Sequence, residues 1–160
     1  CRYLHLATHG IVERGSSELL AALAFTPPAA VPGAPEAAAG DDGFLHLFEI
    51  RELGLDADLA VLSACDTGAG PVVEGEGVFT LSRGFHAAGA RNVVASLWPL
   101  HDDASAELMG LFFEGIVAAE GAGGAPDYAR LLRDAKRVLA ADPDFEDPHY
   151  WAPFVVSSVR

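Results

Sequence analysis

The chain has 160 residues, 51% of them hydrophobic and 21% charged, with a formal net charge of -13 at pH 7. That length and apolar content suffice for the core of one globular domain and exclude disorder as the default state. The acidic balance excludes a nucleic-acid backbone or an anionic membrane surface as the main partner, since both would repel it, and it would draw in a basic peptide.

No apolar stretch reaches the ~18 residues of a membrane span and no basic-then-apolar leader opens the chain, which predicts a cytoplasmic protein. The two cysteines, Cys1 and Cys65, are too few for a disulfide scaffold and have no Cys-x-x-Cys spacing, so Cys65 is expected free and reduced. The histidines, cysteines and aspartates make no zinc-ligand spacing, and no glycine-rich phosphate or dinucleotide loop is complete, so neither metal nor cofactor is expected. The chain starts at Cys1 and enters a strand within three residues, which predicts a segment of a longer protein.

In chain order, residues 3–8 read as a buried strand that runs into the pair His9-Gly10. Residues 17–25, rich in Leu and Ala, fit either a helix or an edge strand and stop at Thr26-Pro27-Pro28. Residues 27–43 hold four of the ten prolines and predict a surface loop or flexible insertion. A strand-like start at Phe44 passes into helical spacing over 48–53. Residues 58–63 form an apolar run of the kind buried on both faces of a parallel sheet, with Cys65 just past its end.

Residues 77–89 show apolar positions at helical spacing with Gly89 as the stop, and 92–97 make a third buried strand, completing a strand-helix-strand crossover. Residues 102–119 predict a long helix with an acidic first turn, 121–124 a flexible break, 127–141 a second amphipathic helix, and 154–158 a final strand. Strands alternating with helices, without internal repeats, predict an α/β domain with a mostly parallel sheet and helices on both faces.

The chemistry concentrates at two strand ends, where such sheets bind ligands. A thiol attacks an acyl carbon as the thiolate and needs a neighbouring base, which a Cys65-His9 couple supplies. Gly10, lacking a Cβ, lets substrate backbone approach. Its N–H and that of Cys65 are the candidate oxyanion hole. The plain alternative for Cys65 is a buried structural cysteine. Trp98 is read as core or pocket wall, with substrate contact as the sharper reading. His46, His86 and His149 read as scaffold residues, His5 packs or hydrogen-bonds beside the site, and His101 stays open between scaffold and pocket.

Six blocks together resemble the CHAT domain family: Leu4-His5-Leu6-Ala7-Thr8-His9-Gly10, Val61-Leu62-Ser63-Ala64-Cys65-Asp66-Thr67-Gly68, Gly75-Glu76-Gly77-Val78, Ala87-Ala88-Gly89-Ala90, Ser96-Leu97-Trp98-Pro99 and Tyr150-Trp151-Ala152-Pro153-Phe154. They occur in the family's order across nearly the whole chain. The resemblance implies a caspase-like, separase-related cysteine peptidase fold, a three-layer sandwich, with His9 as general base and Cys65 as nucleophile on neighbouring parallel strands. It also implies further strands before the His-Gly strand. Residues 1–160 would then be a single domain lacking those amino-terminal strands, about its carboxyl-terminal two thirds, with an unpaired sheet edge.

By the same resemblance, the loop after Trp98 helps build the pocket for the residue before the scissile bond. Asp102 and Asp103 there, and Asp66 beside the nucleophile, would suit Lys or Arg. Helix capping is the alternative for Asp102 and Asp103, and loop anchoring for Asp66. The expectation is a cysteine endopeptidase that takes a protein or peptide substrate after a basic residue. It would be regulated by a repeat domain elsewhere in the same chain and would have no direct nucleic-acid or membrane partner. Its rivals are a catalytically silent caspase-like regulatory or interaction module and a thiol hydrolase or acyltransferase for small molecules.

Overall fold

The computed structural model describes residues 1–14, 19–27, 42–63, 65–66, 76–99 and 101–159, with the backbone alone described at 12–14, 19–20, 65–66 and 76–78. In chain order the elements are β1 (Tyr3–Leu6), β2 (His9–Arg14), β3 (Leu19–Ala24), β4 (Phe44–His46), α1 (Leu47–Glu52), β5 (Ala57–Leu62), β6 (Cys65–Asp66), α2 (Glu76–Ala88), β7 (Ala90–Ser96), α3 (Asp102–Gly121), α4 (Tyr128–Leu139), α5 (Pro148–Trp151) and β8 (Phe154–Ser158).

The main sheet has the order β1-β5-β7-β8, with β1, β5 and β7 parallel and β8 antiparallel to β7. Its central strand β5 reads Ala-Asp-Leu-Ala-Val-Leu, and all but Asp58 are buried. An apolar run without polar alternation fits a strand covered on both faces. Its side chains divide accordingly. Ala60 and Leu62 join Ile50, Leu81 and Phe85 of α1 and α2 in one core. Leu59 and Val61 join Leu108, Phe112 and Leu132 of α3 and α4 in the other. Helices thus cover both faces of a mostly parallel sheet, as the composition pattern predicts. Each fully buried Phe or Leu in these cores contributes about 1.5–3 kcal/mol of transfer free energy, so the cores outweigh the exposed ion pairs, worth about 0–1 kcal/mol each.

The crossover from α2 to β7 turns at Gly89, whose φ is +112°. A Cβ built there would lie 1.9 Å from the Leu55 carbonyl oxygen. Glycine is therefore required twice over, by the backbone conformation and by the close approach of the preceding loop. In α4, Tyr128, Leu132, Ala135 and Leu139 are buried at helical spacing, while Asp127 caps its start by accepting from Arg130 N at 3.0 Å. The short α5 is absent from the sequence reading. It is set by Asp147 accepting from the His149 N–H and by Pro148 in the first turn.

One element differs from expectation, and one left open between helix and strand is decided. The run 3–8 is not one strand: β1 ends at Leu6, and a new strand opens at His9 in a second sheet ordered β4-β3-β2-β6. The Thr8 hydroxyl donates to the Ala24 carbonyl at this junction and ties the bend to β3. The ambiguous stretch 17–25 yields strand β3, which pairs antiparallel with β2 on one side and β4 on the other. Pairing on both edges overrides the helix preference of Leu and Ala. The predicted insertion at 27–43 falls mostly outside the described residues. Just inside its far end, Gly43 O accepts from Phe25 N at 2.7 Å.

At the amino-terminal ends of the parallel strands, Asp58 holds two arginines, Arg2 Nε at 2.6 Å and Arg91 Nη1 at 2.7 Å. Arg2 also reaches Glu120, which accepts from the Tyr3 hydroxyl. The guanidiniums hold the Asp58 carboxyl below its usual range, Arg2 contributing most. This cluster lies at the opposite end of the sheet from His9 and Cys65.

Candidate functional site

The β1/β5 ladder ends with Leu6 opposite Leu62, and Ser63 N donates to Leu6 O at 3.0 Å beyond it. The chain then enters the second sheet, where β2 and β6 pair in parallel with His9 opposite Cys65 and Gly10 opposite Asp66. Each strand leaves one sheet and joins the next after the same number of residues, so one register runs through both ladders. His9 and Cys65 therefore lie directly across neighbouring parallel strands, which are ~4.8 Å apart. Cys65 and Asp66 are described by backbone alone.

His9 is exposed and Gly10 buried. His9 borders a cleft of about 490 Å³ with His5, Ala7, Thr8 and Phe25. His5 and Ala7 also border a second cavity of about 280 Å³, with Ser63, Asp102, Ser105 and Met109 on its other walls. Within it, His5 Nε2 lies 3.0 Å from Ser63 Oγ, sharing a hydrogen bond, and the His5 ring is 5.4 Å from the Phe113 ring. Burial of this imidazole pushes its pKa below the ordinary value. The Ser105 hydroxyl is buried with no hydrogen-bond partner among the described residues. Such a group costs about 1–3 kcal/mol until a partner arrives.

The structure brings Asp102, but not Asp103, to this cavity. Both lie inside the first turn of α3, whose N-cap is His101 without a side-chain capping bond. Neither aspartate is therefore the cap that the sequence alternative supposed, although both sit where a helix favours negative charge. Trp98 stands apart from both cavities: its Nε1 donates to the His149 carbonyl at 3.2 Å and its ring stacks on His149. The remaining histidines serve packing. His86 bonds Ala90 O and Ser157 Oγ, His46 pairs with Asp42, and His101 meets the Tyr150 edge.

The sequence reading passed over Ser105 and left His5 without a named partner. The signal was present: Asp102, Ser105, Ala106 and Met109 recur at helical spacing, so one face of α3 carries the acidic, hydroxyl and thioether groups together. No cluster of His, Cys, Asp or Glu able to hold a metal ion occurs among the described residues, and no helix among them is long and apolar enough to cross a membrane.

Fold and site together define a mixed α/β domain with a mostly parallel sheet that sets a histidine and a cysteine side by side beyond its strand ends. The CHAT domain model matches residues 1–158, and the chain belongs to that family. It is also similar to tetratricopeptide repeat protein 28 of Homo sapiens, 31% identical over 108 residues, which cover 68% of this chain and 4% of that protein. The Mus musculus protein of the same name is 30% identical over 108 residues, with the same coverage. The chain thus spans a small fraction of the length of the curated relatives it matches.

Proposed function

We propose that the domain is a caspase-like cysteine endopeptidase, with His9 as base and Cys65 as nucleophile. The observation that carries this reading is their placement as partners across one parallel ladder. His9 would take the Cys65 thiol proton as sulfur bonds to the scissile carbonyl carbon, and would return it to the leaving amine as the C–N bond breaks. The thioester would then be hydrolysed by water that His9 deprotonates, releasing the acid and restoring the thiol. The N–H groups of Gly10 and Cys65 are proposed to hold the oxyanion.

The cavity between β1 and α3 is proposed to receive the side chain before the scissile bond. The Asp102 carboxylate and the unpartnered Ser105 hydroxyl both accept hydrogen bonds, and the cavity has no lysine or arginine among the described residues of its lining. Those features suit the N–H groups of an Arg or Lys side chain. Asp66 would add charge beside the nucleophile. Asp103 and Trp98 take an outer place in this reading, since neither lines the cavity. A thiol nucleophile fits a reducing compartment such as the cytoplasm. Because the relatives are named for tetratricopeptide repeats, we place a regulatory repeat domain elsewhere in the same longer chain.

The test is intact-mass analysis of the full-length protein, with its activator where one is needed, after treatment with basic and neutral peptide chloromethyl ketones. It is run in a Cys1→Ser background because Cys1 is a free, exposed thiol. A single adduct that needs Cys65, falls with His9→Ala and favours the basic probe is expected. No adduct under any condition would replace the peptidase with a catalytically silent interaction module.

A further inference from the structure

The far edge of the main sheet carries a second surface, distant from His9 and Cys65. In the β7/β8 ladder, Leu97 N donates to Pro153 O and Val159 N to Arg91 O, and Val93 lies opposite Ser157 and Ala95 opposite Val155. Antiparallel strands alternate hydrogen-bonded and non-bonded pairs, so Pro153, Val155, Ser157 and Val159 turn their main-chain groups toward β7. Phe154, Val156 and Ser158 turn theirs outward, and no strand among the described residues covers that side.

Lys136 confirms the geometry by donating to the outward Phe154 carbonyl at 2.6 Å and to Ala152 O at 3.3 Å. Beside this edge runs a groove of about 480 Å³, floored by Leu132, Trp151 and Val156 and flanked by Arg133, Lys136 and Arg137. Those are three of the ten lysines and arginines of a chain with net charge -13, and the lining includes no carboxylate among the described residues. Asp134, which contacts Arg133 at 2.8 Å and Arg137 at 4.0 Å, offsets part of the charge from outside the groove. Lys136 has no carboxylate partner among the described residues, and burial lowers its pKa.

We propose that β8 is a docking edge for an extended acidic peptide segment of another protein, which adds as a further strand. Its main chain pairs with Val156 and Ser158, its apolar side chains enter the Leu132-Trp151 groove, and its carboxylates meet Arg133, Lys136 and Arg137. Charge selects this occupant. Two copies of the chain paired edge to edge would bring like cationic clusters together, and a nucleic acid would leave the outward N–H and C=O row unmatched. The inference does not depend on the peptidase reading.

The test measures fluorescence anisotropy of a labelled peptide of roughly eight residues, alternating valine and glutamate, titrated with the full-length protein. Saturable binding is expected, at least about tenfold tighter than that of the valine-lysine counterpart and weakened at least about tenfold by backbone N-methylation of the peptide. The same loss is expected in Arg133→Glu/Arg137→Glu, whose side chains are 53% and 74% exposed and can be reversed without disturbing the core. Val156→Pro removes an outward N–H while sparing the ladder to β7. It should weaken binding in parallel, with a thermal melt to verify folding. Absence of binding up to roughly 1 mM, or a double reversal within about twofold of wild type, overturns the proposal. So does equal competition by a single-stranded oligonucleotide, or a dimer in sedimentation equilibrium that the double reversal leaves intact and Val156→Pro dissolves.

Discussion

His9 and Cys65 are register partners in a ladder that repeats the offset of Leu6 and Leu62 in the sheet before it. The register that fills the two cores also sets His9 opposite Cys65. A slip of one residue in the first ladder would turn Leu59 and Val61 from one core toward the other and would displace the pair by the same step. A packed main sheet and an aligned pair thus share one register, although each ladder has its own hydrogen bonds.

If His9 is the base, its loss should slow the acylation of Cys65 by substrate about 10²–10⁴-fold and leave the thermal midpoint unchanged, because His9 is exposed. Single-turnover kinetics with a peptide thioester in Cys1→Ser and Cys1→Ser/His9→Ala backgrounds measure this. Equal rates in the two would remove His9 from the mechanism.

If the cavity between β1 and α3 receives a basic side chain, Asp102 and Ser105 should make separable contributions. Asp102→Asn should lower kcat/KM for a substrate with Arg before the cleaved bond about tenfold or more relative to its norleucine analogue, while Asp103→Asn should stay within about twofold. Ser105→Ala removes a buried hydroxyl that has no partner among the described residues. The ligand-free protein should therefore melt at the same or a higher temperature, gaining at most the hydroxyl's burial cost of about 1–3 kcal/mol, even as its affinity for basic peptides falls. A lower melting temperature would mean that Ser105 already bonds within the fold.

Gly89→Ala should destabilise the domain by about 3 kcal/mol or more, through the positive φ and the collision with the Leu55 carbonyl. Thermal denaturation should show a fall of about 6–12 °C for a chain of this size. Gly110→Ala is the control, because nothing lies within 4 Å of a Cβ there.

Stability should decline in two steps on acidification. The folded-state pKa is lowered for both His5 and Asp58. In each case the unfolded chain binds a proton that the folded one refuses, so stability is full above the unfolded pKa and is lost as pH falls toward the folded value. His5 accounts for the step below about pH 6.5 and Asp58 for the step below about pH 4. Melting curves across that range should lose the first step in His5→Gln. Asp58→Asn should melt lower than wild type at neutral pH and converge with it in acid.

The main sheet was legible in the sequence because burial on both faces leaves apolar runs at Leu59-Ala60-Val61-Leu62 and Val93-Val94-Ala95 that no surface strand would carry. The placement of His9 and Cys65 just past strand ends was legible for a related reason, since both residues follow apolar runs. The second sheet was harder to read. Leu19-Leu20-Ala21-Ala22-Leu23-Ala24 favours a helix locally and becomes a strand only through partners on both edges, which no local pattern records. The bend at Ala7-Thr8 was hidden likewise, because the apolar run does not change composition where the chain changes sheets. Asp102 was visible as an acidic residue but its cavity was not, since that cavity forms between β1 and α3, elements far apart in the chain.

Strand β6 is two residues long and lies at the edge of the smaller sheet, whose β3 gives Ala21 and Leu23 to one core, whereas β6 gives no residue to either core among the described residues. Withdrawing Cys65-Asp66 from beside His9-Gly10 would dissolve one short ladder and leave every buried phenylalanine in place. Melting temperature and thiol reactivity therefore report on different parts of this molecule. A variant can lose all reactivity at Cys65 and still unfold at the wild-type temperature, so a normal melt is no certificate that the two residues are aligned.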